Sequence, residues 1–394
     1  MTLETMDQTY VLATYARNYT HFVRGEGSTL FTDGGKDFID FSSGIGVNSV
    51  GHGHPVLTEA LCQQAQNLLH TSNLYLIEPQ AQLAKRIVEL SGYDMRVFFG
   101  NSGAEANEGA IKIARKYGET HFDRKRYKVI TLENSFHGRT ITTVKATGQD
   151  HFHSPNFAPY PDGFSYESSI GAIYEAIDDE TVAVLIELVQ GEGGVEPFDK
   201  HEVQQLAEYL KKHQILLIVD EVQTGVYRTG KFLASQLYEI EPDIITLAKG
   251  LGGGVPIGAV MTRLKDIFVP GDHGSTFGGN FLSTRAGLSV LDILEEQDEQ
   301  GKIAQAQLYF EEKLSAIMAQ YTSLFDRAVG LGLMRGLRAR DSQTQSAVLD
   351  AAFDAGVIVL KAGRNTVRFL PSLTITQAEI DEGFIRFEKA LNTL

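Results

Sequence analysis

The stretch Ile244-Ile245-Thr246-Leu247-Ala248-Lys249-Gly250-Leu251-Gly252-Gly253-Gly254 puts a cation directly after a short apolar run and directly before glycines. Ile244 to Leu247 reads as a buried strand, so Lys249 is expected to project from a strand end into open space. Such a lysine is either an ordinary solvated terminus or a desolvated amine with a chemical task. Lysine shifts its pKa readily on burial and is the usual Schiff-base residue. A second run weighs toward chemistry. Ile215-Leu216-Leu217-Ile218-Val219 is wholly apolar and stops at Asp220-Glu221. Continuous apolar runs suit parallel strands covered on both faces, and ligands bind at the carboxyl ends of such strands. An aspartate there, beside a lysine on a neighbouring strand end, fits pyridoxal 5'-phosphate (PLP). The lysine holds the cofactor covalently, and the carboxylate keeps its pyridine nitrogen protonated.

Outward from these two runs, short apolar segments alternate with helical patterns between about residues 55 and 265. The strand candidates are Arg96–Phe99, Val129–Leu132, Val182–Ile186, Ile215–Val219, Ile244–Leu247 and Ile257–Met261. Helical spacing marks Val56–Leu69, Ala104–Tyr117 and His201–Lys212. That alternation predicts an α/β fold with a mostly parallel central sheet flanked by helices. Beyond about 285, helices over Arg285–Glu296 and Ile303–Gln320 lead to shorter strands, Val357–Leu360 and Val367–Leu370. A smaller α+β domain is expected there. At the amino end, Leu30–Thr32 and Phe38–Phe41 flank Asp33-Gly34-Gly35, a hairpin expected to pack with the small domain. The expected division is an N-terminal segment 1–50, a large cofactor-binding domain 51–283 and a small domain 284–394.

Composition narrows the functions. With 43% apolar and 22% charged residues, a sizeable core is expected. A net charge of −15 argues against nucleic acid or an anionic membrane as partner, and an anionic substrate then needs locally placed arginines. Cys62 is the only cysteine, so no internal disulfide forms and a reducing compartment is expected. No apolar run approaches a membrane span, and MTLETMDQTY lacks the features of a secretion signal; a soluble, cytoplasmic protein is expected.

Several motifs have both a chemical and a structural reading. Asn101-Ser102-Gly103-Ala104 joins a strand to a helix, and free N–H groups at a helix start bind phosphate; equally, Ser102 can be a plain N-cap. Ser135-Phe136-His137-Gly138-Arg139 places an aromatic ring at a strand end, where it could stack on a flat cofactor while Arg139 forks onto a carboxylate. A core phenylalanine and a surface arginine are the alternative. His52 and His54 have no third ligand nearby, so no metal site is expected. Gly225–Phe232 nearly spells a nucleotide P-loop, yet Phe232 stands where magnesium needs Ser or Thr. Gly250–Gly254 is followed by another strand, not by the helix a dinucleotide turn requires.

Taken in order, Asn101–Glu108, Ser135–Thr140, Gln190-Gly191-Glu192-Gly193-Gly194, Asp220–Gly225, Ala248-Lys249-Gly250 and Gly274–Asn280 resemble the class III, fold-type-I PLP aminotransferases. The similarity runs from about Tyr15 to Pro371 and is greatest to the acetylornithine-type members. It implies roles residue by residue. Lys249 is the cofactor lysine and proton shuttle, Asp220 the partner of the pyridine nitrogen, Gln223 that of the ring hydroxyl, and Phe136 the stacking ring. Ser102, Gly103 and Ala104 hold the phosphate, completed by Ser275 and Thr276 of a second subunit in a homodimer. Arg139 and Arg368 bind substrate carboxylates, Glu192 is a movable partner of Arg368, and Tyr15 falls near the substrate entrance. Gly53, Leu188 and Phe281 depart from the family pattern without touching a chemical group. Gly44-Ile45 stands where ornithine δ-aminotransferases carry a tyrosine, leaving room for an acyl group.

The resemblance implies transfer of the δ-amino group of N-acetylornithine to 2-oxoglutarate. Its rivals are the succinylornithine, ornithine, 4-aminobutyrate and N-succinyl-diaminopimelate activities. A non-catalytic PLP-binding protein is the rival of another class, and it need not keep Lys249, Asp220 and Arg368 together.

Overall fold

Seven strands build the central sheet of the computed structural model, which describes residues 1–394. In chain order they are β1 (Arg96–Gly100), β2 (Lys128–Leu132), β3 (Phe164–Glu167), β4 (Thr181–Ile186), β5 (Leu216–Asp220), β6 (Ile244–Leu247) and β7 (Gly258–Thr262). Across the sheet the order is β1-β7-β6-β5-β4-β2-β3. Every pair from β6 to β3 is parallel, whereas β7 runs antiparallel to both neighbours, β6 and β1. β1 and β6 therefore point the same way, and six strands present their carboxyl ends along one edge. β7 starts at that edge, and a side chain at Gly258 would collide with the Ser102 carbonyl.

The apolar runs have the expected cause. Every residue of β4, β5, β6 and β7 is buried. Leu216 and Ile218 pack with Ala110, Ile111 and Ala114 of the helix Gly103–Thr120, on one face. Leu217 and Val219 pack with Val203, Leu206 and Leu210 of the helix Lys200–Lys212, on the other. Burying each such aliphatic side chain contributes about 1.5–3 kcal/mol, so the run is held inside and its first charged residue is left at the rim. Asp220 has the parity of Leu216 and Ile218, so its carboxylate faces the helix Gly103–Thr120.

The predicted helices exist with earlier starts. The one expected from Val56 begins at Pro55, which has no N–H to leave unpaired at the first helical position. The one expected from Arg285 begins at Phe281, because the Asn280 side chain accepts from Ser283 N. The hairpin strands Thr29–Thr32 and Asp37–Asp40 pair antiparallel, and Asp37–Asp40 then pairs in parallel with Val357–Ile358. Val357–Leu360 is not one strand. Val357–Ile358 joins the amino-terminal sheet, while Leu360–Ala362 joins a four-stranded sheet with Phe325–Leu331, Met334–Ala339 and Thr366–Phe369. Phe41 of the amino-terminal segment packs on Phe310 and Phe384 of carboxyl-terminal helices, at ring separations of 5.2 and 5.5 Å. No helix is long and apolar enough to cross a membrane.

Candidate active site

The carboxyl edge of the sheet opens into a cavity of about 410 Å³, lined by residues from the ends of β1, β4, β5 and β6. Asp220 is its most constrained member. Oδ2 accepts from Asn107 Nδ2 at 2.7 Å and from His137 Nδ1 at 2.8 Å, and Oδ1 accepts from Val222 N at 3.0 Å. Asn107 comes from the helix Gly103–Thr120 and its Oδ1 accepts from Thr246 Oγ1 of β6 at 2.8 Å. A buried carboxylate fixed by three donors can face a positive partner without reorienting. The other nitrogen of His137, Nε2, is buried with no protein partner.

Lys249 follows β6 and lines the same cavity. Its backbone sits at φ 38°, a region that a side-chain-bearing residue rarely occupies, and such strain collects at functional positions. Desolvation lowers its amine below the ordinary lysine range; Glu192 opposes that shift and Arg368 adds to it. Ser102 is the N-cap of the helix, and the cap does not use up the amides that follow it. Its hydroxyl caps the helix by accepting from Glu105 N at 3.2 Å, and the amides of Gly103 and Ala104 precede the first intrahelical bond, Ala106 N to Ser102 O. Those two amides remain free to bind an anion at the cavity wall.

Phe136, Gln223 and Arg139 also line the cavity. Gln223 Oε1 accepts from Arg368 Nη1 at 3.2 Å, leaving Nε2 as its remaining donor. The Arg139 guanidinium has no carboxylate partner and rests 4.0 Å over the Phe152 ring. Arg368, only 2% exposed, lies behind Gln223 and donates to Glu192 Oε1 at 2.8 Å. Burial pushes the Glu192 carboxyl up, but Arg368 outweighs it and brings the group below its ordinary value. The structure thus brings Glu192 and Arg368 together as an ion pair.

Five expected residues do not line the cavity of their own chain: Glu192 and Arg368, which pair beyond Gln223, and Tyr15, Ser275 and Thr276. Tyr15 is 75% exposed. Ser275 Oγ accepts from Asn101 Nδ2 at 3.1 Å and from Gly278 N at 2.9 Å, and Thr276 is exposed. The Gly225–Phe232 segment serves packing instead of phosphate, since buried Arg228 donates to the Leu333 and Pro371 carbonyls at 2.9 and 2.6 Å.

Sequence reasoning missed Asn107, His137, Phe152 and Glu187. Glu187 follows β4 as Asp220 closes β5, and burial pushes its carboxyl up to about 7. A charge at the end of an apolar run, the signal that exposed Asp220, was present there too.

The class-III aminotransferase family model matches residues 13–391. A protein of Wolinella succinogenes named acetylornithine aminotransferase is 60% identical over 389 residues, covering 98% of this chain and 99% of its own. The succinylornithine transaminase of Salmonella enteritidis is 44% identical over 378 residues, 94% of this chain and 92% of its own. Among solved structures, an ornithine aminotransferase from Toxoplasma gondii superposes with a TM-score of 0.92 at 33% identity, covering 99% of this chain and 94% of that one.

Proposed function

Since the chain belongs to the class-III aminotransferase family, we propose that it moves the δ-amino group of N2-acetylornithine to 2-oxoglutarate. The products are N-acetylglutamate semialdehyde and glutamate, as in arginine biosynthesis. The observation that carries this reading is the 60% identity, over nearly the whole chain, to a protein named for that activity.

The cofactor is PLP, and the cavity fits it. Two free amides at a helix start suit its phosphate, the pinned Asp220 suits a protonated ring nitrogen, and the enclosed Lys249 amine suits its carbonyl. Bound there, PLP supplies a carbonyl that condenses with amines and a ring that draws electrons from the amine-bearing carbon. Asp220 keeps the ring nitrogen charged, Phe136 covers the ring, and Gln223 donates to its hydroxyl. Lys249, with its affinity for protons lowered by desolvation, takes the proton from the amine-bearing carbon and returns it one position away. Arg139 and Arg368 orient substrates by their carboxylates. Glutamate places an α-carboxylate beside its reacting amine, so Arg368 must be free of Glu192. Acetylornithine reacts at its distal amine, and Glu192 then neutralises Arg368.

A homodimer completes the site, with Ser275 and Thr276 reaching the phosphate of the partner subunit and Tyr15 at the entrance. Leu74 and Leu76 are 87% and 100% exposed, and Phe277 beside Thr276 is 63% exposed, which suits a surface that another copy covers. With one cysteine and no spanning helix, the enzyme works in the cytoplasm.

Succinylornithine is the second reading, favoured by the 44% identity to a transaminase of that name. Half-reactions of the purified holoenzyme, followed by absorbance, decide among N-acetylornithine, succinylornithine, ornithine, 4-aminobutyrate and N-succinyl-diaminopimelate. N-acetylornithine is expected to give the highest kcat/KM. A higher value for another amine reassigns the substrate, and no reaction with any amine favours a non-catalytic binder.

A further inference from the structure

Glu187 is the second carboxylate of the cavity, 5% exposed, and no cation forms an ion pair with it. Its Oε2 accepts from the backbone N–H of Phe136 at 3.0 Å, and its Oε1 accepts from that of Gly191 at 3.4 Å. The first bond anchors the loop that carries the ring-facing phenylalanine. The second anchors the turn that carries Glu192, whose Oε1 accepts from Arg368 Nη1. Gly191 also lies against the Gln223 amide, where any side chain would collide, and Gln223 shares the same Arg368 nitrogen. One buried carboxylate therefore joins the cofactor-facing loop to the turn that controls an arginine.

We propose that Glu187 is a positioning residue whose charge state sets how firmly the Glu192 turn is held, and thereby which substrate carboxylate Arg368 accepts. This rests on the reading of Glu192 and Arg368 as a substrate-dependent pair. An ionised carboxylate accepts on both oxygens, whereas a protonated one keeps a single good acceptor. The longer bond, to Gly191, is the one given up. Glu192 then leaves Arg368 more readily, which favours glutamate; the ionised form holds Glu192 on Arg368 and favours the acylated diamine. The groups facing Glu187 are His137 after β2, Asp220 on β5 and Lys249 after β6, with Glu192, Arg139 and Arg368 around them. Burial raises the Glu187 carboxyl to about 7, His137 draws it down and Asp220 pushes it up. The change of charge thus falls within the working range of an enzyme near neutrality.

The test measures both half-reactions of the holoenzyme, with glutamate and with N-acetylornithine, from about pH 6 to about pH 8.5 across that titration. The acetylornithine-to-glutamate rate ratio is expected to rise about fivefold in the wild type. Glu187→Gln offers one acceptor oxygen at every pH, so its ratio stays flat at the low-pH value of the wild type. A flat wild-type ratio, or a ratio that still climbs in Glu187→Gln, overturns the proposal. Infrared spectra of the cofactor-free protein give an independent readout. A protonated-carboxyl band that titrates near neutrality is expected in the wild type and absent from Glu187→Gln; its absence from the wild type also overturns the proposal. If N-acetylornithine fails to react while that band titrates, the substrate assignment falls and the assignment of Glu187 as a neutral-range carboxyl stands.

Discussion

Asn107 and Asp220, 113 residues apart in the chain, meet through a 2.7 Å hydrogen bond at the floor of the cavity. The same amide donates to the His137 carbonyl at 2.8 Å and accepts from Thr246. One side chain on a helix thus fixes the ends of β5 and β6 and the loop after β2. Asn107→Leu should cost about 1–3 kcal/mol of stability, the usual penalty for orphaned buried polar groups. Denaturant unfolding of the cofactor-free protein measures this, and cofactor release should quicken in parallel. Unchanged stability would mean that water replaces the amide.

Asp220→Asn should preserve the fold and lower kcat about a hundredfold, because an amide cannot hold a positive ring nitrogen. The one remaining oxygen can still accept from Asn107 and His137, so the loss is expected chiefly in kcat with little change in substrate binding. Retention of most of kcat would relocate the carboxylate that serves the ring.

Lys249→Ala should retain PLP non-covalently and lose roughly 10²–10⁴-fold in the proton-transfer step. Single-turnover absorbance with N-acetylornithine checks this. A rate near that of the wild type would remove Lys249 from the mechanism.

Glu192→Ala should slow the acetylornithine half-reaction more than the glutamate half-reaction. Arg368 is buried and its only carboxylate partner is Glu192, so without it an unpaired cation faces the apolar part of the longer substrate. Equal losses in the two half-reactions would refute the substrate-dependent pairing.

Mixing two inactive variants tests assembly. Lys249→Ala chains keep Thr276, and Thr276→Val chains keep Lys249. If Thr276 serves the partner subunit, a mixed dimer has one site with both residues intact, and co-refolded mixtures regain activity at limiting PLP. A contact within one chain leaves a defect in every site, and nothing is regained. Thr276→Val alone must first be shown to be weak at limiting PLP.

The parts legible in the sequence were those with a local physical cause. β5 stood out because an unbroken apolar run stops at a charged residue, β6 because a short, mostly apolar run leads to a lysine and glycines, and the helix expected from Ala104 because Ser102 stands ready to cap it. Glu187 stayed hidden because apolar Leu188 and Val189 follow it and blur the end of the strand. Asn107 stayed hidden because its meaning depends on the pairing of strands far along the chain. The split of Val357–Leu360 was equally invisible, since one run satisfies two sheets and composition does not say where the chain changes partner.

β7 has the last word on what the cavity accepts. It stands between β1 and β6, so the strands that lead to the amides and to the lysine are two strand spacings, about 9.6 Å, apart. A ligand held at both ends must bridge that gap. On the proposed reading, inorganic phosphate would fill one anchor and unphosphorylated pyridoxal would reach the other, and neither would meet both. The sheet thereby sets the two anchors after different strands, and a ligand that meets both must present a group at each of its ends.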